Sequence, residues 1–403
     1  MAPLPFHFEQ IGSLLRPQEV QEARQRLFSN QAHGNIAKDA EEECKKIEQQ
    51  AIGIIVSEQL QRNITPITDG EYSRTLFYDG LFESTPGFSV EHVPWTAARS
   101  EFPTAKGYIA RNYKTRAVCI ATSKIHFKES AYLAEWNYLK GLLPESKWAE
   151  CKITIPAPTW MHMQLKPGTA WTQESGYTSE EEYFADIVEV YRQELKILYQ
   201  HGLRSVQIDD PQLTYFCNEE FCRGCKNDGV EWEDLLDLYV KVYNQCLEGR
   251  PDGLHVGVHL CRGNAPKGQY FSSGSYEAIA KKLFRELKFD TFYLEYDTER
   301  AGGFEPLRWL PKEKNVVLGM ITTKNAELED MEMLKTRVED ALAVIATGQE
   351  RSRDDVLKNV GVGPQCGFSS ASYAVGVGMN MEKMWEKMSL ARKLKESIWG
   401  DEP

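Results

Sequence analysis

His255-Val256-Gly257-Val258-His259-Leu260-Cys261 is the stretch on which the reading of the fold turns. It is short, β-branched and apolar until its last residues, which reads as a buried strand ending in polar chemistry. A helical pattern, Glu231 to Glu248, precedes it, and another, Tyr276 to Leu287, follows. The same alternation extends in both directions. Downstream, Thr291 to Asp297, Val316 to Thr322 and Asn359 to Cys366 read as strands, with helices over Glu327 to Ala346 and Met381 to Trp399. Upstream, Ser205 to Asp210 and Lys152 to Thr159 read as strands separated by a helix, Ser179 to Gly202, with acids in its first turn and a glycine at its end.

Two further strands are expected nearer the N-terminus, Phe8 to Leu14 and Ile64 to Tyr72. Between them Asp39 to Asn63 is a charged helix whose core stripe is expected to be Ile47, Ile54, Ile55 and Leu60. Alternating βα units predict a parallel sheet. Eight of them predict an α/β fold of the closed (β/α)8 TIM-barrel type, with residues 1–403 as a single catalytic domain. Residues 81–147 break the repeat. A hairpin over Arg116 to Phe127 and a helix over Glu129 to Leu143 are expected there, as an insertion after the second strand that folds over the barrel mouth.

Composition narrows the function classes. Of 403 residues, 42% are hydrophobic and 26% charged, which is ordinary globular composition and excludes disorder, collagen and disulfide miniproteins. The net charge of −12 repels phosphate backbones, so no nucleic-acid partner is expected. No apolar run approaches the ~20 residues that span a bilayer, so no membrane partner is expected either. The opening MAPLPFHFEQ has neither a basic start nor an apolar signal core. Nine cysteines, an odd count, suit a reducing compartment, and a cytoplasmic location is expected. Nothing in the sequence sets an oligomeric state.

Barrel active sites lie at the C-terminal ends of the strands. Those ends here carry Ser13, Asp69, Glu71, Thr159, Asp209, Asp210, His259, Cys261, Glu295, Thr322 to Lys324 and Cys366. Stability alone would favour apolar residues there. His259 and Cys261 are two apart on a strand and so share a face, from which both could reach one ion. Zinc takes histidine nitrogen and cysteine sulfur, and its catalytic sites keep one exchangeable position. Cys366 and Glu295, at two other strand ends, could complete the set. Taken alone, an H-x-C pair is more often a half-buried histidine beside a core thiol. A rival cluster is Cys217, Cys222 and Cys225, whose C-x4-C-x2-C spacing also occurs in metal sites, although free or structural thiols are the commoner outcome. Glu71 and Asp209 are acids that could hold a substrate ammonium, whereas Asp69 and Asp210 could cap helices. No phosphate-binding glycine loop follows a strand, so a nucleotide fold has little support.

At these residues the sequence resembles the cobalamin-independent methionine synthase family, over nearly the whole chain. The matching segments are Ile11-Gly12-Ser13, Asp69-Gly70-Glu71, Gln207-Ile208-Asp209, His259-Leu260-Cys261, Leu294-Glu295 and Pro364-Gln365-Cys366-Gly367. The likeness is to the family's C-terminal catalytic barrel and to its short, single-barrel members. The resemblance implies zinc on His259, Cys261, Glu295 and Cys366, and homocysteine contacts at Ser13, Glu71 and Asp209. It also implies an acid after the seventh strand, where the family has a histidine and Lys324 falls closest here. Zinc would keep a substrate thiol deprotonated at neutral pH, and Glu295, the hard oxygen ligand, is expected to yield its place to it. The implied function is a zinc-dependent thiol alkyltransferase, with a small-molecule thiol and an alkyl donor as partners. Methyl transfer to homocysteine from a folate or another carrier, giving methionine, is the leading form. Addition of a thiol to an epoxide or similar electrophile is one alternative, and a non-catalytic metal-binding homologue is another.

Overall fold

The structure is a computed structural model and describes residues 4–32, 38–372 and 375–400. Met1 to Pro3, part of the opening read for a signal, lie outside them. Two sheets are present. An antiparallel pair joins β1 (Phe88–Pro94) and β2 (Thr115–Ala121). A parallel sheet of six strands runs in sequence order through β3 (Ile153–Pro156), β4 (Ser205–Asp209), β5 (His255–Leu260), β6 (Thr291–Glu295), β7 (Asn315–Ile321) and β8 (Val360–Pro364). Each of these strands lies within, or one residue outside, the span read from the sequence.

These strands are buried along nearly their whole length, as a parallel sheet covered on both faces requires. The alternation of side chains separates two cores. Phe292, Leu294, Val316 and Leu318 belong to the large core shared with the surrounding helices, to which Ile187, Tyr239, Leu342 and Met388 contribute. Tyr293 and Val317 point the other way and form a small cluster with Leu4 and Ile11. The register pairs His259 with Tyr293 and Asp209 with His259. Asp209, His259, Tyr293 and Glu295 therefore share the face opposite the helices.

The helices carry the expected end signals. Ser179 caps the helix Glu180–Gln200 by accepting from Glu182 N, and three glutamates occupy the first turn at the positive end of the helix dipole. Helix Lys38–Gln61 buries Ala51, Ile52, Ile55 and Val56. Of the stripe read from the sequence, Ile55 is buried and Ile47 packs against the core, whereas Ile54 is 61% and Leu60 36% exposed. The buried set is the i, i+1, i+4, i+5 face around Ile52 and Ile55.

The two N-terminal strands are the main departure. Only single parallel bridges form there, Phe8 with Val362 of β8 and Ile67 with Cys151 beside β3. A few backbone bonds, such as Glu9 N to Val362 O and Gln10 N to Thr65 O, are supplemented there by side chains in place of a full ladder. Gln10 Nε2 donates to Pro66 O, Gln59 Oε1 and Thr68 Oγ1, and Gly12 N donates to Gln10 Oε1. Pro66 has no N–H to offer a neighbouring strand. Gly363 lets the N-terminal segment approach β8: a Cβ there would lie 2.1 Å from Glu9 O. The six-stranded sheet is not itself closed, so the structure gives the parallel α/β arrangement and leaves the two remaining strand places to bridges.

In the irregular region the hairpin read at Arg116 to Phe127 is instead the longer-range pair β1 and β2, and the helix runs over Leu133–Gly141. The strand β1 escaped notice because its sequence, FSVEHVP, is half polar and exposed. A helix at Gln18–Ala32, unmarked in the sequence reading, follows the first bridge. Among the described residues no helix is long and apolar enough to cross a membrane.

Candidate metal centre

His259, Cys261, Glu295 and Cys366 converge. One potential ligand atom from each lies within 4.8 Å of the others, and all four residues are buried. They arrive from the carboxyl ends of β5, β6 and β8, which a parallel sheet puts at one edge. Cys261 Sγ is 3.3 Å from Cys366 Sγ. Their hydrogen bond pushes the Cys261 thiol up and holds the Cys366 thiol well below the ordinary thiol range. His259 is 2% exposed, and neither ring nitrogen makes a hydrogen bond of normal geometry, the Cys366 thiol being the neighbour that favours its charged form. A buried imidazole with both nitrogens unsatisfied is costly in a packed interior, and this one is aimed at two sulfurs. Two thiols, an imidazole and a carboxylate are a zinc-type donor set, so the residues present fit the ion that the resemblance implies.

Surrounding groups fix the ligands in place. Gly263 N donates to Cys261 Sγ at 3.2 Å. Asn264 Nδ2 donates to Gly367 O at 2.9 Å, tying the loop after β5 to the loop after β8. Glu295 Oε1 accepts from Arg262 N at 2.8 Å and Oε2 accepts from Arg300 Nη2 at 2.7 Å. Arg300 and Asn264 were not picked out from the sequence; an arginine five residues past a candidate ligand carries no signal until the chain is folded.

The second group lies beside the first. A cavity of about 320 Å3 is lined by Ser13, Glu71, Asp209, His259, Cys261 and Cys366 among others. Ser13 is locked against the cysteine loop: Phe368 N donates to Ser13 O, and a Cβ on Gly367 would lie 1.9 Å from Ser13 Oγ. Glu71 sits in the left-handed region at φ 59°, a rare place for a non-glycine residue. Its Oε1 accepts from Thr154 Oγ1 at 2.8 Å, while Oε2 is buried without a partner. Burial pushes the Glu71 carboxyl up to about 8, opposed by Arg74 and assisted by Asp209. Burial also pushes Asp209 up to about 6, and Gln207 Nε2 steadies it with a 2.6 Å hydrogen bond. Two desolvated carboxyls in one cavity favour a cation between them.

The opposite wall is aromatic. Trp95, Phe102, Tyr108 and Tyr113 come from the region of β1 and β2 and line the cavity together with Trp160 and Phe271, Tyr108 packing on Phe271 with centroids 6.1 Å apart. Trp95 stacks on Tyr108 with centroids 5.0 Å apart, and Arg116 lies over the Trp95 ring. The sequence reading placed this region over the site but named none of these rings.

Other expected residues are placed elsewhere. Lys324 Nζ donates to Gly263 O at 2.5 Å and to Asn264 Oδ1 at 3.1 Å, and it is not among the cavity-lining residues. The structure therefore sets this amine behind the Cys261 loop, in a position to brace it. Cys217, Cys222 and Cys225 do not form a ligand group; among the described residues the four-residue set above is the one found. Cys225 is packed in the main core. Asp210 Oδ1 caps the turn after β4 by accepting from Gln212 N and Leu213 N.

A parallel α/β sheet with soft donors gathered at the carboxyl ends of its strands defines a protein with a metal-type thiol centre. Residues 169–386 match the family model described as "Cobalamin-independent synthase, Catalytic domain". The chain belongs to the cobalamin-independent methionine synthase family. It is 30% identical over 397 residues to YxjH of Bacillus subtilis (strain 168), covering 98% of this chain and 95% of that one. Among solved structures it is similar to a Listeria monocytogenes protein provisionally assigned as a vitamin-B12 independent methionine synthase, with a TM-score of 0.71, 24% identity and all of both chains covered. It is also similar to a B12-independent methionine synthase from Shewanella sp. W3-18-1 in complex with selenomethionine, with a TM-score of 0.66, 16% identity and 99% and 98% of the two chains covered.

Proposed function

We propose that this protein is a zinc-dependent thiol alkyltransferase that methylates homocysteine to methionine. The observation that carries the reading is the His259, Cys261, Glu295 and Cys366 cluster, of which His259, Cys261 and Cys366 line a cavity that also holds Glu71 and Asp209. His259, Cys261, Cys366 and Glu295 would hold zinc. The ion would supply a Lewis acid that lowers the pKa of a bound thiol, making it a nucleophile at neutral pH. Glu71 and Asp209 would grip the amino-acid ammonium between them, with charge-assisted bonds that their burial strengthens. Ser13, fixed against Gly367, would face the same amino acid from the cysteine side. The aromatic wall excludes water and leaves room for an alkyl donor next to the sulfur.

The fold reading goes with this. The chain would be a single (β/α)8 barrel, with segments around Phe8 and Ile67 in the first and second strand places and 81–147 inserted after the second. In support, Glu9 N donates to Val362 O, Gln10 N to Thr65 O and Lys152 N to Ile67 O, linking β8 to β3 through both segments. The test of function is mass spectrometry of products formed from homocysteine with a panel of methyl donors. Methionine from at least one donor, dependent on zinc, is expected. Conversion of an epoxide with a thiol, and no methionine, would replace methyl transfer with the related addition chemistry.

A further inference from the structure

Glu295 is unusual among the four candidate ligands because both of its oxygens are already occupied by protein. Oε1 accepts from Arg262 N and Oε2 from Arg300 Nη2, and the carboxylate is fully buried. Arg300 is itself held in place. The same Nη2 donates to Asp297 Oδ1 at 2.7 Å, and Nη1 donates to Thr298 Oγ1 at 2.9 Å. The Tyr270 ring lies over the guanidinium at 5.2 Å. Asp297 is 1% exposed and Arg300 7%, so solvent screens this cluster little.

A carboxylate that gives up a ligand position inside a protein becomes a buried anion. Without a partner such an anion is strongly disfavoured. Here its partners stand in place beforehand, one a backbone N–H and one a guanidinium. We propose that Arg300 is a positioning residue that stabilises Glu295 in its released state and so sets how readily the fourth ligand place passes to a substrate thiol. The inference rests on the zinc reading above. Its distinctive consequence is one of sign. A residue that merely supports the fold would, when removed, loosen the metal. Removal of Arg300 instead leaves Glu295 with a lone N–H partner and a stronger tendency to stay on the metal.

The experiment compares wild type, Arg300→Met, Arg300→Gln and Arg300→Lys loaded with zinc. Zinc loss to a chromogenic chelator and homocysteine affinity by calorimetry are measured, without any alkyl donor. Arg300→Met is expected to release zinc severalfold more slowly and to bind homocysteine about tenfold more weakly, the loss typical of one charge-assisted hydrogen bond. Arg300→Lys, which keeps a charge able to bridge Glu295 and Asp297, is expected to recover most of both. Arg300→Gln keeps a donor without the charge and decides the matter if the Met variant does not fold; it should fall on the slow-release side. Faster or unchanged zinc release in the folded variants, with homocysteine binding unaltered, overturns the role given to Arg300. Absence of zinc from wild type would overturn the underlying reading instead.

Discussion

Cys261 Sγ and Cys366 Sγ stand 3.3 Å apart although 105 residues separate them in the chain. Such a pair between two strand ends is the part of the site most sensitive to substitution. Wild type is expected to hold about one zinc per chain. Cys261→Ser and Cys366→Ser should each lose most of it by elemental analysis. Cys222→Ser and Cys225→Ser should retain it, since those thiols lie outside the ligand group; loss of zinc from them and not from the first pair would move the site.

Glu71 links pH, stability and binding. The unfolded chain releases this proton near 4.5 and the folded chain near 8. Between those values the folded state holds more protons, so this group makes stability fall as pH rises, and the penalty is fully developed above 8. Glu71→Gln is expected to raise unfolding free energy by up to about 5 kcal/mol at alkaline pH, with little effect below 4.5. Thermal unfolding at both ends of the range checks it. An unchanged difference across pH would mean that Glu71 is charged in both states.

The same substitution should weaken homocysteine. Loss of one charge-assisted bond to the ammonium costs roughly 1.5–3 kcal/mol, or about tenfold to a hundredfold in affinity. A thiol of similar size without the amino group should bind wild type and Glu71→Gln alike. Equal weakening of both thiols by calorimetry would give Glu71 a structural place.

Lys324 donates to Gly263 O and Asn264 Oδ1 and so braces the loop that follows Cys261. Lys324→Met is expected to destabilise the protein by about 1–3 kcal/mol, because one buried and one part-buried acceptor lose their donor, and to speed zinc loss. An acid in the reaction would behave differently. It would lower kcat with zinc retention and thermal stability both intact, and that outcome would return Lys324 to the chemistry.

Cobalt in place of zinc offers a view of thiol binding alone. Homocysteine should intensify the sulfur-to-metal absorption bands in the absence of any alkyl donor. No spectral change from any thiol, in protein that still turns over, would make the centre structural.

What could be read in the sequence was what repeats locally. The parallel strands from β3 to β8 are apolar runs bounded by turns, and their polar ends stood out because chemistry interrupts hydrophobic pattern. His259 and Cys261 were visible as a pair because strand geometry puts both on one face. The N-terminal strands were read too generously, since Gln10 and Thr68 satisfy backbone groups that a ladder would have used, and composition does not reveal that competition. Ile54 misled because an exposed isoleucine on a helix looks like core until its face is known. Arg300 and Asn264 were invisible for a third reason: the partner of Asn264 comes from another strand end, and Arg300 meets Glu295 only because the turn after β6 folds it back.

The contact between Ser13 and the Gly367 loop has a consequence for biosynthesis. Ser13 emerges from the ribosome early and Cys366 late, yet Phe368 N and Gly367 close directly upon Ser13. Domains generally fold as units during synthesis, and this pocket has no partial form. Until translation passes Cys366, the nascent chain presents His259 and Cys261 as an unmatched pair of soft donors, open to oxidation or to the wrong ion. On the zinc reading, metal capture would be a late event, and a chain stalled before Cys366 would need protection that the finished protein supplies for itself.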